Sequence, residues 1–150
     1  MEKAHVRACS AIVKASEPWK TLGESVDFKR YIGLKQAYVC LAPKAGKAFV
    51  AGFIIFTPDS VFARGGYLRA IGVAPDARRQ GIGEALLTFA ESRVARRSPN
   101  FFLCVSSFNR QAQFFYKKMG YRRVGKLPDL LVPGQAEYIY WKRLRTSTRE

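Results

Sequence analysis

Two short segments of this 150-residue chain hold residue types whose spacing suits chemistry. The first is Arg78-Arg79-Gln80-Gly81-Ile82-Gly83, which follows Ile71-Gly72-Val73-Ala74-Pro75 and opens a helix-like pattern. Two glycines one residue apart let the backbone bend closely and leave several N–H groups pointing outward at a helix start. With the positive end of the helix dipole, those donors form an anion site whose natural ligand is a diphosphate. Arg78 and Arg79 add charge there. A tight turn without a ligand accounts for the same glycines. The third glycine of a dinucleotide fingerprint is missing, and so is the Gly-Lys-Ser/Thr of a nucleotide-triphosphate loop. The second segment is Asn109-Arg-Gln-Ala112-Gln-Phe-Phe115-Tyr116-Lys-Lys-Met119-Gly120-Tyr121. Tyr116 carries a phenol, with an ordinary pKa of about 10, that can donate a hydrogen bond or a proton. Tyr116 also reads as a core aromatic on an amphipathic helix, and periodicity alone favours that reading.

The elements that must position these segments follow from pattern and punctuation. Residues His5 to Val13 alternate loosely and suggest a first strand. Ser16 is placed to cap a short helix to about Leu22, stopped by Gly23, and Ser25 to cap another to about Ile32, closed by Gly33. Ala37 to Leu41 and Lys47 to Phe56 form a hairpin, and Tyr67 to Val73 is a further strand. A long helix is expected from about Gln80 to Arg96, with Ile82, Leu86, Phe89, Ala90 and Val94 at helical spacing and Pro99 beyond its end. Phe101 to Val105 is a buried strand. Gln111 to Met119 is a helix, with Ala112, Phe115, Tyr116 and Met119 at i, i+3, i+4 and i+7 and Gly120 closing it. Tyr121 to Val124 and Glu137 to Trp141 supply two last strands, and the polar tail from Arg145 to Glu150 is expected to fray. Strands first, then β-α-β-α-β, describe an α+β or α/β sheet with helices on its faces.

The R-x-x-G-x-G loop and the N-x-x-A-x-x-F-Y-x-x-x-G-Y helix, in this order and separation, resemble the two signature motifs of the GNAT acyltransferases. The resemblance covers Tyr67 to Trp141 well and the N-terminal half in outline. Its layout is most similar to the ribosomal-protein-alanine type. It implies one acyl-CoA N-acyltransferase domain over residues 1–150 with a mixed sheet of about seven strands and about four helices on its faces. It implies transfer of an acetyl group from acetyl-CoA to a primary amine by direct attack in a ternary complex, without a metal. Strands 67–73 and 101–105 would run parallel and splay apart, and Ile71, Gly72 and Val73 would meet the pantetheine arm. The N–H groups of Arg79, Gln80, Gly81, Ile82, Gly83 and Glu84, with Arg78 beside them, would hold the pyrophosphate. Asn109 would hydrogen-bond the pantetheine, and Tyr116 would serve as general acid at the sulfur. The chain departs from the pattern at the base: relatives of the ribosomal type carry a glutamate where this chain has Cys104. Glu17, Glu24, Asp129 and Glu137 are the available acids, with a water chain as the alternative. The loop Val124 to Gly134 and Glu17-Pro18-Trp19 are candidate walls for the acceptor, or local packing.

Bulk properties bound these readings. Hydrophobic residues make up 48% of the chain and aromatics 13%, which excludes a disordered chain. No apolar run approaches the ~20 residues of a membrane helix, and no signal-peptide core follows Lys3 and Arg7, so a cytoplasmic protein is expected. Three cysteines, an odd count at wide spacing, argue for free thiols. Lys and Arg number 26 against 11 acids, a net charge of +15 that attracts polyanions. CoA, nucleic acid and a ribosome surface all fit that field, as does general solubility, and a second copy of the chain is a further candidate partner. A CoA-binding sensor without turnover and a basic nucleic-acid-binding protein are the competing functions. No nucleic-acid module is recognisable to support the latter.

Overall fold

The computed structural model describes residues 1–145. Val6, Cys9, Ile12 and Val13 recur every three to four residues, which gathers them on one helical face. Accordingly Val6–Lys14 is helix α1, with Cys9, Ile12 and Val13 buried. This corrects the strand expected over His5 to Val13: the loose alternation there is helical periodicity. Among the described residues the sheet therefore has six strands where about seven were expected, and five α-helices stand in place of about four.

Helix α2 is Trp19–Leu22, entered through Pro18 and ended by Gly23 at φ +66. Ser16 is not its cap. Helix α3 is Phe28–Gly33, capped by Asp27, whose carboxylate accepts from the Arg30 N–H at 3.1 Å; Ser25 lies too early for that role. Strands β1 (Ala37–Lys44) and β2 (Lys47–Val61) form the expected antiparallel hairpin, turning at Ala45 and Gly46, both with positive φ. Strand β3 is Gly65–Val73, α4 is Ile82–Val94 and β4 is Asn100–Ser106. Helix α5 is Arg110–Lys118, followed by β5 (Arg122–Pro128) and β6 (Ala136–Arg143). The tail expected to fray, Arg145 to Glu150, lies beyond Arg145 outside the described residues.

Hydrogen bonds join the strands in the order β1-β2-β3-β4-β6-β5. The β3–β4 pair is parallel, and its register sets Gly66 against Phe101, Tyr67 against Phe102 and Leu68 against Leu103. Beyond Leu68, β3 continues to Val73; beyond Leu103, β4 continues to Ser106. Pairs β4–β6 and β5–β6 are antiparallel. The backbone divides into two compact units, Met1–Phe56 with Ala70–Ala90, and Thr57–Arg69 with the chain from Glu91 onward. The first unit is built on Cys9, Ile12, Val13, Phe28, Ala37, Phe53, Ile55 and Ala70, with Phe28 and Phe53 edge to face at 5.0 Å. The second buries Leu68, Val94, Phe101, Leu103, Val105, Tyr116, Tyr121 and Tyr140. Cys9, Cys40 and Cys104 are free thiols. Among the described residues no helix is long and apolar enough to cross a membrane.

Within the first unit, β2 and β3 meet at two glycines. A Cβ on Gly52 would lie 2.8 Å from the Gly72 carbonyl oxygen and 3.0 Å from Leu86 Cδ1. The obstacle is backbone and cannot swing aside. Gly52→Ala is therefore expected to destabilise by about 1–3 kcal/mol, as overpacked cores do. Thermal melting should show a Tm lowered by several degrees; an unchanged Tm would mean that the strands shift freely at this point.

Candidate active site

The loop between β3 and α4 lies in the first unit. The Ala74 N–H donates to the Ala51 carbonyl at 2.8 Å, and a 3-10 turn spans Pro75–Ala77. Arg79 then adopts φ +59 and Gly81 φ +79, both left-handed. For a non-glycine residue this conformation costs roughly 1–2 kcal/mol, and strain of this kind collects at binding loops. A Cβ on Gly81 would meet nothing within 4 Å, so glycine is needed there for its φ and the space beside it stays open. The first helical bond of α4 runs from Ala85 N–H to Gly81 O at 2.9 Å. The N–H groups of Ile82, Gly83 and Glu84 thus form the first turn, which has no intrahelical acceptor. Gln80 folds back, donating from Nε2 to Asp76 O at 2.9 Å.

Arg78, expected beside the pyrophosphate, makes three hydrogen bonds within the first unit. Its Nη2 donates to Ala15 O and to Ser16 Oγ, each at 3.1 Å, and Nε to Val73 O at 3.4 Å. Ala15 is the C-cap of α1, so the guanidinium sits at the negative end of that helix dipole. It ties the loop to α1 and explains why Ser16 is not a helix cap. Ahead of the loop, Ile71 and Val73 are half-buried, and Gly72 is packed so that a Cβ would lie 2.7 Å from Phe53 and 2.9 Å from Ile12. A hollow of about 510 Å³ also opens in this unit, lined by Val13, Lys14, Trp19, Lys20, Glu24 and Val26 among others.

Tyr116 and Asn109 lie in the second unit. Asn109 caps α5, its side-chain oxygen accepting from the Ala112 N–H at 3.1 Å. Gln113 Nε2 donates to Ser106 O and Ser107 O at 3.3 and 3.0 Å, locking the helix start onto the end of β4. Tyr116 is buried among Phe115, Tyr121 and Tyr140, with ring centroids at 5.2, 5.8 and 6.5 Å. Burial, and secondarily Tyr67, pushes its phenol well above the ordinary value of 10.0. It therefore holds its proton at neutral pH, as a general acid must.

A second group on the sheet was not legible from motifs. Tyr67 pairs with Phe102, and side chains two apart share a face, so Tyr67, Phe102, Cys104 and Ser106 line one face. The Tyr67 hydroxyl donates to the Cys104 thiol, and burial raises both groups, the phenol most. Glu137 on β6 lies directly opposite Ser106 on that face. Of the four acids considered, Glu17 accepts from Thr21 N–H and Oγ1, and Asp129 accepts from Gly134 N–H at 2.7 Å, both in local turns. Glu24 is exposed beside the hollow. Glu137 alone among them is buried. Leu130, Leu131 and Val132 of the candidate wall are exposed, whereas Trp19 packs on Phe53 at 6.0 Å. His5 sits in a 3-10 turn, its Nδ1 accepting from Glu2 N–H.

Several groups are protonated more firmly in the fold than in an unfolded chain. Cys9 is raised by burial from 9.0 to about 11, and Tyr116 and Tyr121 are raised well above their ordinary values, chiefly by burial. Above about pH 9 the unfolded chain therefore releases protons that the folded chain retains, and stability falls as pH rises. Denaturation midpoints should be insensitive to these groups below about pH 9 and drop steeply between about pH 9 and 11. Cys9→Ala should flatten part of that drop; an identical alkaline profile would remove Cys9 from the account.

A model of the "Acetyltransferase (GNAT) family" matches residues 6–121, and the chain belongs to that family. No curated protein sequence matches it significantly. Its fold is similar to that of Ard1 from Thermoplasma volcanium, with 21% identity, TM-score 0.76 and coverage of 97% of this chain and 95% of that one. It is also similar to a ribosomal-protein-alanine N-acetyltransferase from Brucella melitensis, with 21% identity, TM-score 0.71 and coverage of 96% and 97%. An aminoglycoside 6'-N-acetyltransferase complexed with coenzyme A is a third, with 17% identity, TM-score 0.73 and coverage of 99% and 95%.

Proposed function

We propose that the chain transfers the acetyl group of acetyl-CoA to a primary amine by direct attack in a ternary complex. The observation that carries this reading is the left-handed Arg79–Gly81 loop feeding the first turn of α4, in a chain of the acetyltransferase family. The N–H groups from Arg79 to Glu84 hold the pyrophosphate, with the open space at Gly81 admitting it. Arg79 adds charge, while Arg78 fixes the loop in place. The main chain of Ile71, Gly72 and Val73, and the Asn109 amide, orient the pantetheine arm. The neutral amine attacks the thioester carbonyl, the C–S bond breaks, and Tyr116 gives its proton to the departing thiolate.

Calorimetric titration with acetyl-CoA at increasing salt tests the binding half of this reading. Affinity should fall modestly with ionic strength, since exposed charge is screened over ~8 Å at 0.15 M while backbone donors are not. Arg79→Ala should reduce that slope, and Arg78→Ala should chiefly lower Tm. Absence of a binding heat at any salt concentration would overturn the site.

A further inference from the structure

We propose that Glu137 accepts the proton that the acceptor ammonium sheds before attack, from a position opposite Ser106 on the face that carries Cys104 and Tyr67. This rests on the acetyltransferase reading above and adds to it the base for which Cys104 leaves no residue. Glu137 is the one charged residue buried among those described, at 7% exposure. Its backbone position is over-determined. Next to it, Ala136 N–H donates to Ser107 Oγ at 3.2 Å, and Ser107 N–H donates to Ala136 O at 2.7 Å. Ser107 Oγ in turn donates to Gln135 at 2.9 Å. Directly opposing residues on antiparallel strands hold their Cβ atoms about 4.5–5.5 Å apart, so the Ser106 and Glu137 side chains leave the sheet side by side.

Ser106 Oγ is 1% exposed and has no hydrogen-bond partner among the described residues. A buried hydroxyl without a partner is destabilising, and native interiors rarely leave one so. A polar group arriving between Ser106 and Glu137, such as an amine N–H or the water that relays its proton, would satisfy it. Ser106 from β4 and the apolar Leu127 from β5 stand directly opposite Glu137, with Cys104 and then Tyr67 further along the same face. Its charge is felt at both the Tyr67 phenol and the Cys104 thiol, where it adds to the larger effect of burial; Arg69 opposes it at Tyr67. The carboxylate therefore acts on the same face where Cys104 replaces an acid. The protons balance. Glu137 takes one from the bound acceptor ammonium before attack, Tyr116 gives one to the thiolate and regains one from the tetrahedral nitrogen, and solvent removes the proton from Glu137.

The test is steady-state thiol release from acetyl-CoA by wild type and Glu137→Gln. The acceptor panel is an alanine-initiated peptide, a lysine peptide, spermidine and an aminoglycoside. The best acceptor is then compared with its aminooxy counterpart, whose nitrogen is already neutral at pH 7. We expect at least ~10²-fold loss of kcat/KM for the ordinary amine, a far smaller loss for the aminooxy compound, and unchanged acetyl-CoA affinity. A variant damaged in folding would lose both acceptors equally, and that result overturns the role. Wild-type rates with both acceptors overturn it too while leaving the acetyltransferase reading intact. Wild type that binds acetyl-CoA but turns over no amine overturns the reading and this inference together.

Discussion

Tyr116→Phe should lower kcat by about 10²-fold while leaving acetyl-CoA affinity nearly unchanged. The ring is buried and held on three sides by Phe115, Tyr121 and Tyr140, so phenylalanine keeps the packing. Only the hydroxyl is removed. A positioned acid is typically worth ~10²–10⁴ in rate, and the lower end is expected here because a thiolate leaves fairly well unaided. An interaction made mainly in the transition state appears in kcat and not in ground-state binding. Because its phenol sits well above 10.0, Tyr116 should impose no alkaline fall on the wild-type rate before about pH 10. The rate should instead rise with pH as the free acceptor deprotonates. Steady-state kinetics across that range check both statements. Full activity in Tyr116→Phe would remove the acid role.

Gly83→Asp should weaken acetyl-CoA binding by about 10–100-fold. Gly83 lies in the first turn of α4, whose N–H groups are the proposed diphosphate donors. An aspartate there brings bulk and a negative charge to the same place. Two like charges 4 Å apart repel by roughly 4 kcal/mol at an effective dielectric of 20. Relaxation and screening leave a portion of that, and each 1.4 kcal/mol is tenfold in affinity. Aspartate in the first turn is otherwise favourable to the helix dipole, so folding should survive. Calorimetry showing unchanged affinity in a folded variant would move the pyrophosphate elsewhere.

Much of this arrangement was readable without coordinates, and the exceptions share a cause. Local pattern sufficed for β2, β3, α4, β4 and α5, because glycine, proline and period-3.6 or buried runs mark their ends. It failed at His5 to Val13, where few apolar residues fit two periods and only the packing of Cys9, Ile12 and Val13 into the first unit decides. Caps were misplaced at Ser16 and Ser25 because a serine before a helix says nothing about which N–H its oxygen will meet. Ser16 is instead taken by Arg78, 62 residues away. The same distance problem hid the Tyr67–Cys104 contact and the burial of Glu137. Tyr67 is met by a thiol on another strand, and Glu137 becomes special only once β6 is registered against β4. Motif spacing marks residues that act through short loops; it is silent about side chains that a sheet brings face to face.

The central claim, acetyl transfer to an amine, is tested most directly by mixing the chain with acetyl-CoA and the amine panel. Free thiol is followed by colour and the products by mass spectrometry. Thiol release that saturates with one amine, matched mole for mole by its acetylated product, is the predicted result. Acetyl-CoA that binds but is released intact, with thiol appearing no faster in the presence of any amine, would contradict it.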